Sequence, residues 1–387
     1  MPRGDIVNDP YQLSEIHDDF RAMVRQFSED KIAPRAEEID ATDEYPADLH
    51  EEMVKADLLS VMFPEDTGGA GADSITQAIL VEEMSRVSAS AVMIPLLNKL
   101  GMIPVLLRGT SDQKLAWIPK IIAGEEQAAY GLTEPGAGSD VAAMRTKAVR
   151  DGDEWVLNGG KRFISNAGIA TVYTIFAKTN PDAGHRGISC FIVPAATPGF
   201  QVTRYEHKMG LHGSPTGELT LDDVRISADN LVGEEGEGFK IAMMTLDRSR
   251  PGIAAQALGI AQGAFELARD YAKERKQFGR RIIDNQAIGF MLADMDMKTR
   301  AARHLVYEAH AMIDRKDAQL TYVAAAAKAF ASDTAMYVTT DAVQILGGYG
   351  YVRDYPAERM MRDAKITQIY EGTNQIQRVV MAKLLGR

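Results

Sequence analysis

Apolar residues recur along the first third of the chain at steps of three and four. Leu13, Ile16, Phe20, Met23, Val24 and Phe27 mark one face of an amphipathic helix. A shorter version runs from Ser74 to Val87, with Ile75, Ala78 and Ile79 on one face and the acids Glu82 and Glu83 beyond. Between them, Pro64-Glu65-Asp66-Thr67-Gly68-Gly69-Ala70-Gly71 is a turn cluster. It has the glycines of a phosphate loop but lacks the Gly-Lys-Ser/Thr ending and follows no clear strand, so a turn is the reading adopted. Residues from about 11 to 125 therefore read as helical.

The period shortens near Glu125. Glu154-Trp155-Val156-Leu157 and Lys161-Arg162-Phe163-Ile164-Ser165 flank Asn158-Gly159-Gly160, which predicts a hairpin. Strand-like runs follow at Val172 to Ala177, Ile188 to Val193, Phe200 to Tyr205 and Gly217 to Ile226. Turn residues such as Asn180-Pro181-Asp182 and Thr197-Pro198-Gly199 separate them, so this part reads as an antiparallel sheet or barrel. Helical texture returns after Gly236-Glu237-Gly238. Ile288, Leu292, Met295, Thr299, Ala302, Val306, Ala309 and Ile313 alternate steps of three and four, the stripe of a buried bundle face. Met291, Met295 and Met297 read as packing filler. The expected organisation is α+β, mostly α: a helical domain over 1–125, a central antiparallel β-domain over 126–232 and a helical bundle over 233–387.

Composition narrows the classes. The 387 residues are 45% hydrophobic and 25% charged, an ordinary globular mixture. A formal charge of -11 argues against broad nucleic-acid binding, which needs Lys and Arg to displace counterions. Cys190 is the only cysteine, so neither an intramolecular disulfide nor a cysteine metal cluster can form. Met1 to Pro10 carries acids and no apolar core, so no signal peptide is expected, and no run is apolar enough to span a membrane. A cytoplasmic setting fits these features.

Four stretches could carry chemistry. Thr133-Glu134-Pro135-Gly136-Ala137-Gly138-Ser139-Asp140 is either a long turn or a polar cradle for a ring with carbonyl and nitrogen acceptors. Arg275-Lys276-Gln277-Phe278-Gly279-Arg280-Arg281 is a solvated charge run or a pyrophosphate clamp. Gln344-Ile345-Leu346-Gly347-Gly348-Tyr349-Gly350-Tyr351 is a helix cap or a ligand turn; its spacing is no dinucleotide fingerprint. In Asp363 to Gln375, Glu371 sits between Tyr370 and Gly372, which permits either a helix end or a close backbone approach to a ligand.

Together and in this order these stretches, with Tyr130-Gly131-Leu132 and Phe163-Ile164-Ser165-Asn166, resemble the acyl-CoA dehydrogenase family over essentially the whole chain. The resemblance implies a four-helix C-terminal bundle, an FAD cofactor, an acyl-CoA substrate, electron-transfer flavoprotein as acceptor and a homotetramer built as a dimer of dimers. It places Tyr130, Leu132, Thr133 and Ser139 along the flavin, Phe163 near the ring's outer edge and Ser165 near its reactive nitrogen. Phe163 and Ser165 stand where many members have Trp and Thr. Arg275, Phe278, Gln344, Gly347 and Gly348 match residues reaching FAD in a neighbouring subunit, and Thr373 and Gln375 match pyrophosphate and ADP contacts. Glu371 matches the base that takes the α-proton, its N–H polarising the thioester carbonyl together with a ribityl hydroxyl of FAD. The alternative base position of some members is Ser249 here, which is no base.

Ser139, Asp247, Arg250, Tyr370 and Gly372 fall where the resemblance puts acyl-CoA contacts. A solvated charge pair beside Pro251 is the plain alternative for Asp247 and Arg250. Members acting on glutaryl-CoA carry an Arg where Ala91 stands, and Val92, Leu96 and Leu97 are bulky. Short or branched acyl groups are therefore expected. A flavin oxidase or monooxygenase on this fold is a second reading, and a nucleic-acid-associated branch a third. Glu371 favours the dehydrogenase, and the acidic charge disfavours the last.

Overall fold

The computed structural model describes residue 11 and residues 13–386. The leader reading over Met1 to Pro10 falls outside them.

The N-terminal helices are α1 (Glu15–Phe27), α2 (Ala36–Thr42), α3 (Ala47–Lys55), α4 (Ser74–Ser85), α5 (Met93–Arg108) and α6 (Ser111–Ile122). Local chemistry sets their starts. Asp73 accepts from the Thr76 N–H at 2.7 Å to cap α4, and Thr110 and Gln113 cap α6 reciprocally. Pro95 lies in the first turn of α5, where a missing N–H removes no helical bond.

The faces of α1 and α4 differ from expectation. Of the apolar stripe on α1 only Val24 is fully buried, and Leu13, Ile16 and Met23 are exposed. The helix is rotated so that His17 and Val24 face inward, His17 meeting Asp73 at 3.0 Å. Helix α4 is buried on almost every side, Glu82 and Glu83 included. Buried carboxylates need partners. Arg21 Nη1 reaches Glu83 at 2.6 Å, Arg303 Nη2 reaches Glu82 at 2.8 Å, and the Tyr307 hydroxyl donates to Glu82 at 2.6 Å. Burial pushes the Glu82 carboxyl up, but Arg303 and Arg21 outweigh it and hold it below the usual range.

The sheet comprises β1 (Ala128–Gly131), β2 (Lys147–Asp151), β3 (Glu154–Ser165), β4 (Val172–Lys178), β5 (Ile188–Pro194), β6 (Phe200–Tyr205), β7 (Thr216–Ser227) and β8 (Leu231–Val232). Its order is β6-β7-β3-β2-β4-β5-β8, with β1 also paired to β4. It is mixed rather than antiparallel: β1 and β2 both run parallel to β4, because the chain crosses over between Gly131 and Lys147 instead of folding straight back. The expected hairpin at Asn158-Gly159-Gly160 is also corrected. Strand β3 runs through it, and the turn is at Gly152, between Asp151 and Glu154. The register shifts between Leu157 and Gly159, so the glycine marks a bulge. A Cβ on Gly159 would lie 2.7 Å from the Thr146 Cα.

The C-terminal part runs α7 (Gly238–Glu274), a hairpin of β9 (Lys276–Gln277) and β10 (Arg280–Arg281), α8 (Gln286–Asp314), α9 (Leu320–Leu346), α10 (Gly348–Tyr351), α11 (Ala357–Thr367) and α12 (Asn374–Leu385). The expected stripe on α8 is buried at Leu292, Met295, Thr299, Ala302, Val306 and Ala309, while Met297 is exposed. Helices α4 and α7 touch through their backbones at Gly259 and Gly263; a Cβ there would meet the carbonyls of Glu82 and Arg86 at 2.3 and 2.0 Å. One core joins the helical parts with one face of the sheet, and a second core lies on its other face.

Candidate active site

A cavity of about 270 Å³ opens between α4, α5, α7, the strand ends of β1 and β3, and the turn joining α11 to α12. Glu371 lies in that turn with φ 52°, a left-handed conformation that costs a non-glycine residue energy, followed by Gly372 at φ 92°. Side chains pin the backbone there. Arg250 Nε donates to the Glu371 carbonyl at 3.3 Å, and Lys328 Nζ donates to the Gly372 carbonyl at 2.8 Å. Gln377 Nε2 donates to both carbonyls, at 3.2 and 2.8 Å. Among the described residues the Glu371 N–H has no backbone or side-chain acceptor.

The Glu371 carboxyl is the only acid lining this cavity among the described residues. Burial pushes it up to about 7, against the lowering effects of the Ser249 hydrogen bond and of Arg250 and Lys328. Ser249 Oγ donates to Oε2 at 2.5 Å, and among the described residues Oε1 has no hydrogen-bond partner. Arg250 is buried, not solvated, and pairs with Asp247 at 3.0 Å. Asp247 also accepts from Thr321 at 2.7 Å; it stands behind Arg250 and does not itself line the cavity. Tyr370 lines it with its hydroxyl donating to Gln256, as does Gly372.

Tyr130, Leu132, Thr133, Ser139, Phe163 and Ser165 all line the same cavity. The loop that carries Thr133 folds on a buried ion pair. Lys161 Nζ reaches Glu134 Oε1 at 2.7 Å, and Glu134 also accepts from the N–H groups of Arg145 and Thr146. Phe163 sits at φ 58° in a second bulge of β3, between Lys161 and Ile164, the residue 58% exposed and the Arg162 guanidinium 4.9 Å from its ring centroid. The Tyr130 hydroxyl is buried without a hydrogen-bond partner. An unpaired Tyr130 hydroxyl, the Thr133, Ser139 and Ser165 hydroxyls and an open aromatic face fit a planar ring rich in acceptors, the chemistry of a flavin.

The other expected cofactor residues lie elsewhere in this chain. Arg275, Gly347 and Gly348 line a second cavity, with the Arg275 guanidinium 5.4 Å from the Tyr349 ring centroid. Phe278 is wholly exposed at the tip of the β9–β10 hairpin, and Gln344 is exposed nearby in sequence to Gly347. Thr373 caps α12 by accepting from the Ile376 N–H at 3.3 Å, and Gln375 is exposed on its first turn. Of the acyl-pocket residues, Leu96 and Leu97 line the main cavity, whereas Ala91 and Val92 are buried without lining it. Lys328, Lys99, Gln77 and His310 escaped the sequence reading. The available signal was a single polar residue in an apolar run, as in Ala324 to Ala331 around Lys328.

Family models for the acyl-CoA dehydrogenase N-terminal, middle and C-terminal domains match residues 14–125, 129–224 and 236–386. The chain belongs to the acyl-CoA dehydrogenase family, whose members are flavin-dependent oxidoreductases. It is 51% identical over 379 residues to the "Probable acyl-CoA dehydrogenase FadE25" of Mycobacterium tuberculosis, covering 98% of this chain and 97% of that protein. It is 45% identical to the "Acyl-CoA dehydrogenase, short-chain specific" of Clostridium acetobutylicum, covering 97% and 100%. The solved butyryl-CoA dehydrogenase of Megasphaera elsdenii superposes with a TM-score of 0.94 at 43% identity, covering 97% and 100%. A chain from structural work on the electron transferring flavoprotein of Acidaminococcus fermentans superposes at 0.95 with 47% identity, covering 97% and 99%.

Proposed function

We propose that this protein is an FAD-dependent acyl-CoA dehydrogenase that removes hydrogen across the α and β carbons of a short acyl-CoA, giving a trans-2-enoyl-CoA. The observation that carries the reading is Glu371, the one acid lining the cavity among the described residues, raised by burial to about 7. Oε1 takes the α-proton while Ser249 holds Oε2. A base poised near the working pH has a substantial ionised fraction and good proton affinity together. The Glu371 N–H is free to donate to the thioester carbonyl, which makes the α-proton more acidic. Leu96, Leu97, Leu246 and Ile253 keep water from the reacting carbons. Bound FAD supplies the acceptor for the hydride leaving the β-carbon.

Tyr130, Leu132, Thr133, Ser139, Phe163 and Ser165 would hold the flavin ring. The N-terminus of α12, capped by Thr373, offers N–H groups to a phosphate. The cavity at Arg275 and Gly347, apart from the first in this chain, supports an assembly in which a second copy completes each cofactor site. We take the assembly to be a homotetramer and the electron acceptor an electron-transfer flavoprotein, in keeping with the Acidaminococcus fermentans match. The test is anaerobic bleaching of the yellow protein by a panel of straight, branched and carboxylated acyl-CoAs. Reduction by at least one, with slow reoxidation by oxygen, is expected. No bleaching by any would sink the reading, and fast reoxidation would favour the oxidase.

A further inference from the structure

One wall of the acyl cavity is polar, and dehydrogenation makes no use of it. Gln77 on α4, Lys99 on α5 and His310 on α8 all line the cavity, among neighbours such as Val81, Leu96, Leu100 and Ile103. Lys99 Nζ donates to Gln77 Oε1. An ammonium has three donors, so two remain. No carboxylate lies within 4.0 Å of Nζ among the described residues. Asp314, the acid whose charge Lys99 feels, is already engaged by the Ser74 N–H at 2.9 Å and hydroxyl at 2.7 Å. Burial lowers the ammonium to about 8, which still leaves it mostly charged at neutral pH.

His310 is the second observation. It is 3% exposed, and neither ring nitrogen makes a hydrogen bond of normal geometry, although the ring lies near the Ser74 and Pro251 backbones. Burial and the Lys99 charge hold it down to about 4, so the imidazole is neutral and offers one N–H. A half-buried cation without a counterion, beside an imidazole whose N–H lacks a well-aligned partner, is costly unless something complementary fills the gap. Gln77 and Lys99 come from α4 and α5, whereas Glu371 comes from the turn joining α11 to α12, so the two lie on different elements of the cavity wall.

We propose that Lys99, with His310 and Gln77, receives a carboxylate at the far end of the acyl group, so that the preferred substrates are CoA thioesters of dicarboxylic acids. This rests on the acyl-CoA dehydrogenase reading above and narrows its substrate. The arginine expected of a glutaryl-type site is absent at Ala91, in the turn before α5, and here a lysine eight residues on, within α5, takes the terminal charge.

The test compares matched pairs on the flavin-loaded protein: glutaryl-, adipyl- and pimelyl-CoA against pentanoyl-, hexanoyl- and heptanoyl-CoA, with ω-hydroxyacyl-CoAs as a third series. At the length that spans the cavity, kcat/KM for the carboxylate should exceed that for the alkyl and hydroxyl chains by about tenfold or more, the range of a hydrogen bond to a charged group. Lys99→Met should lower that ratio by about the same factor, and Lys99→Arg should retain most of it. If Lys99→Met fails to fold, the wild-type ratios decide alone. Preference for the alkyl chain at every length, equal use of hydroxyl and carboxylate chains, or an unchanged ratio in Lys99→Met overturns the proposal while leaving the dehydrogenase intact. Bleaching by no thioester of any series removes the dehydrogenase reading and the proposal with it.

Discussion

Removing the Ser249 hydroxyl isolates what tunes Glu371, the proposed base. Ser249 Oγ donates to Glu371 Oε2 at 2.5 Å, a shorter contact than its 3.4 Å approach to the Leu246 carbonyl, and a donor to a carboxylate favours the charged form. A hydrogen bond to a charged group contributes about 1.5–3 kcal/mol. At about 1.4 kcal/mol per pKa unit, its loss in Ser249→Ala should raise Glu371 from about 7 by roughly one to two units. A water admitted by the smaller side chain brings the shift to the lower end. Proton abstraction needs the unprotonated base, so the rate of flavin reduction rises with pH and levels off above the Glu371 pKa. Anaerobic stopped-flow with a saturating substrate should show this limb moved to higher pH in the variant. Near pH 6 the variant is then slower by about tenfold or more, and the two rates converge in alkali. A limb that stays in place, or moves down, refutes the assignment of Ser249 as the donor that tunes Glu371. An equal loss at every pH would show that the serine acts on geometry alone.

Glu371→Gln should keep its flavin and lose about 10²–10⁴ in the reduction rate, read by the same method. It should also be the more heat-stable protein above pH 7. The folded carboxyl titrates near 7 and the free one near 4.5, so ionisation opposes folding progressively between those values and fully above them. The gap in Tm should close towards pH 4.5; a gap independent of pH would contradict the burial argument. Lys328→Met removes the donor that holds the Gly372 carbonyl and a charge that lowers Glu371. It should slow reduction and move the pH limb up with flavin content unchanged; loss of flavin instead would assign Lys328 to the cofactor. Lys161→Met leaves Glu134 buried without its cation, a loss of about 3–5 kcal/mol that should appear as a lower Tm and weaker flavin retention. An unchanged Tm would show that the pair does not hold the Thr133 loop.

Secondary structure was legible wherever one period ran uninterrupted. The stripe on α8 and the strands β4 to β7 follow directly from it. Helix α4 misled because its acids are neutralised by arginines from α1 and α8, hundreds of residues apart in part, and periodicity carries no information about such partners. Asn158-Gly159-Gly160 misled because the same residues serve a hairpin and a bulge, and only the approach of Thr146 decides between them. The cavity residues from Tyr130 to Ser165 and Glu371 were visible as motifs. Ser249 was visible only as a residue unable to act as a base; its hydroxyl matters through a contact with a residue 122 positions away. Lys328 and Lys99 were silent because one charge in an apolar run looks like any helix residue until its environment is known.

Helix α7 carries Ser249 against the base and Arg275 at its far end, 26 residues on. At 1.5 Å per residue that is about 39 Å, too far for one dinucleotide to touch both. Under the proposed assembly each chain would hold half of two different sites rather than the whole of one. If a partner supplies the Arg275 half, subunits with Glu371→Gln and subunits with Arg275→Ala are each inactive alone. Refolded together they would regain activity, because a mixed pair contains one site built from the two sound halves.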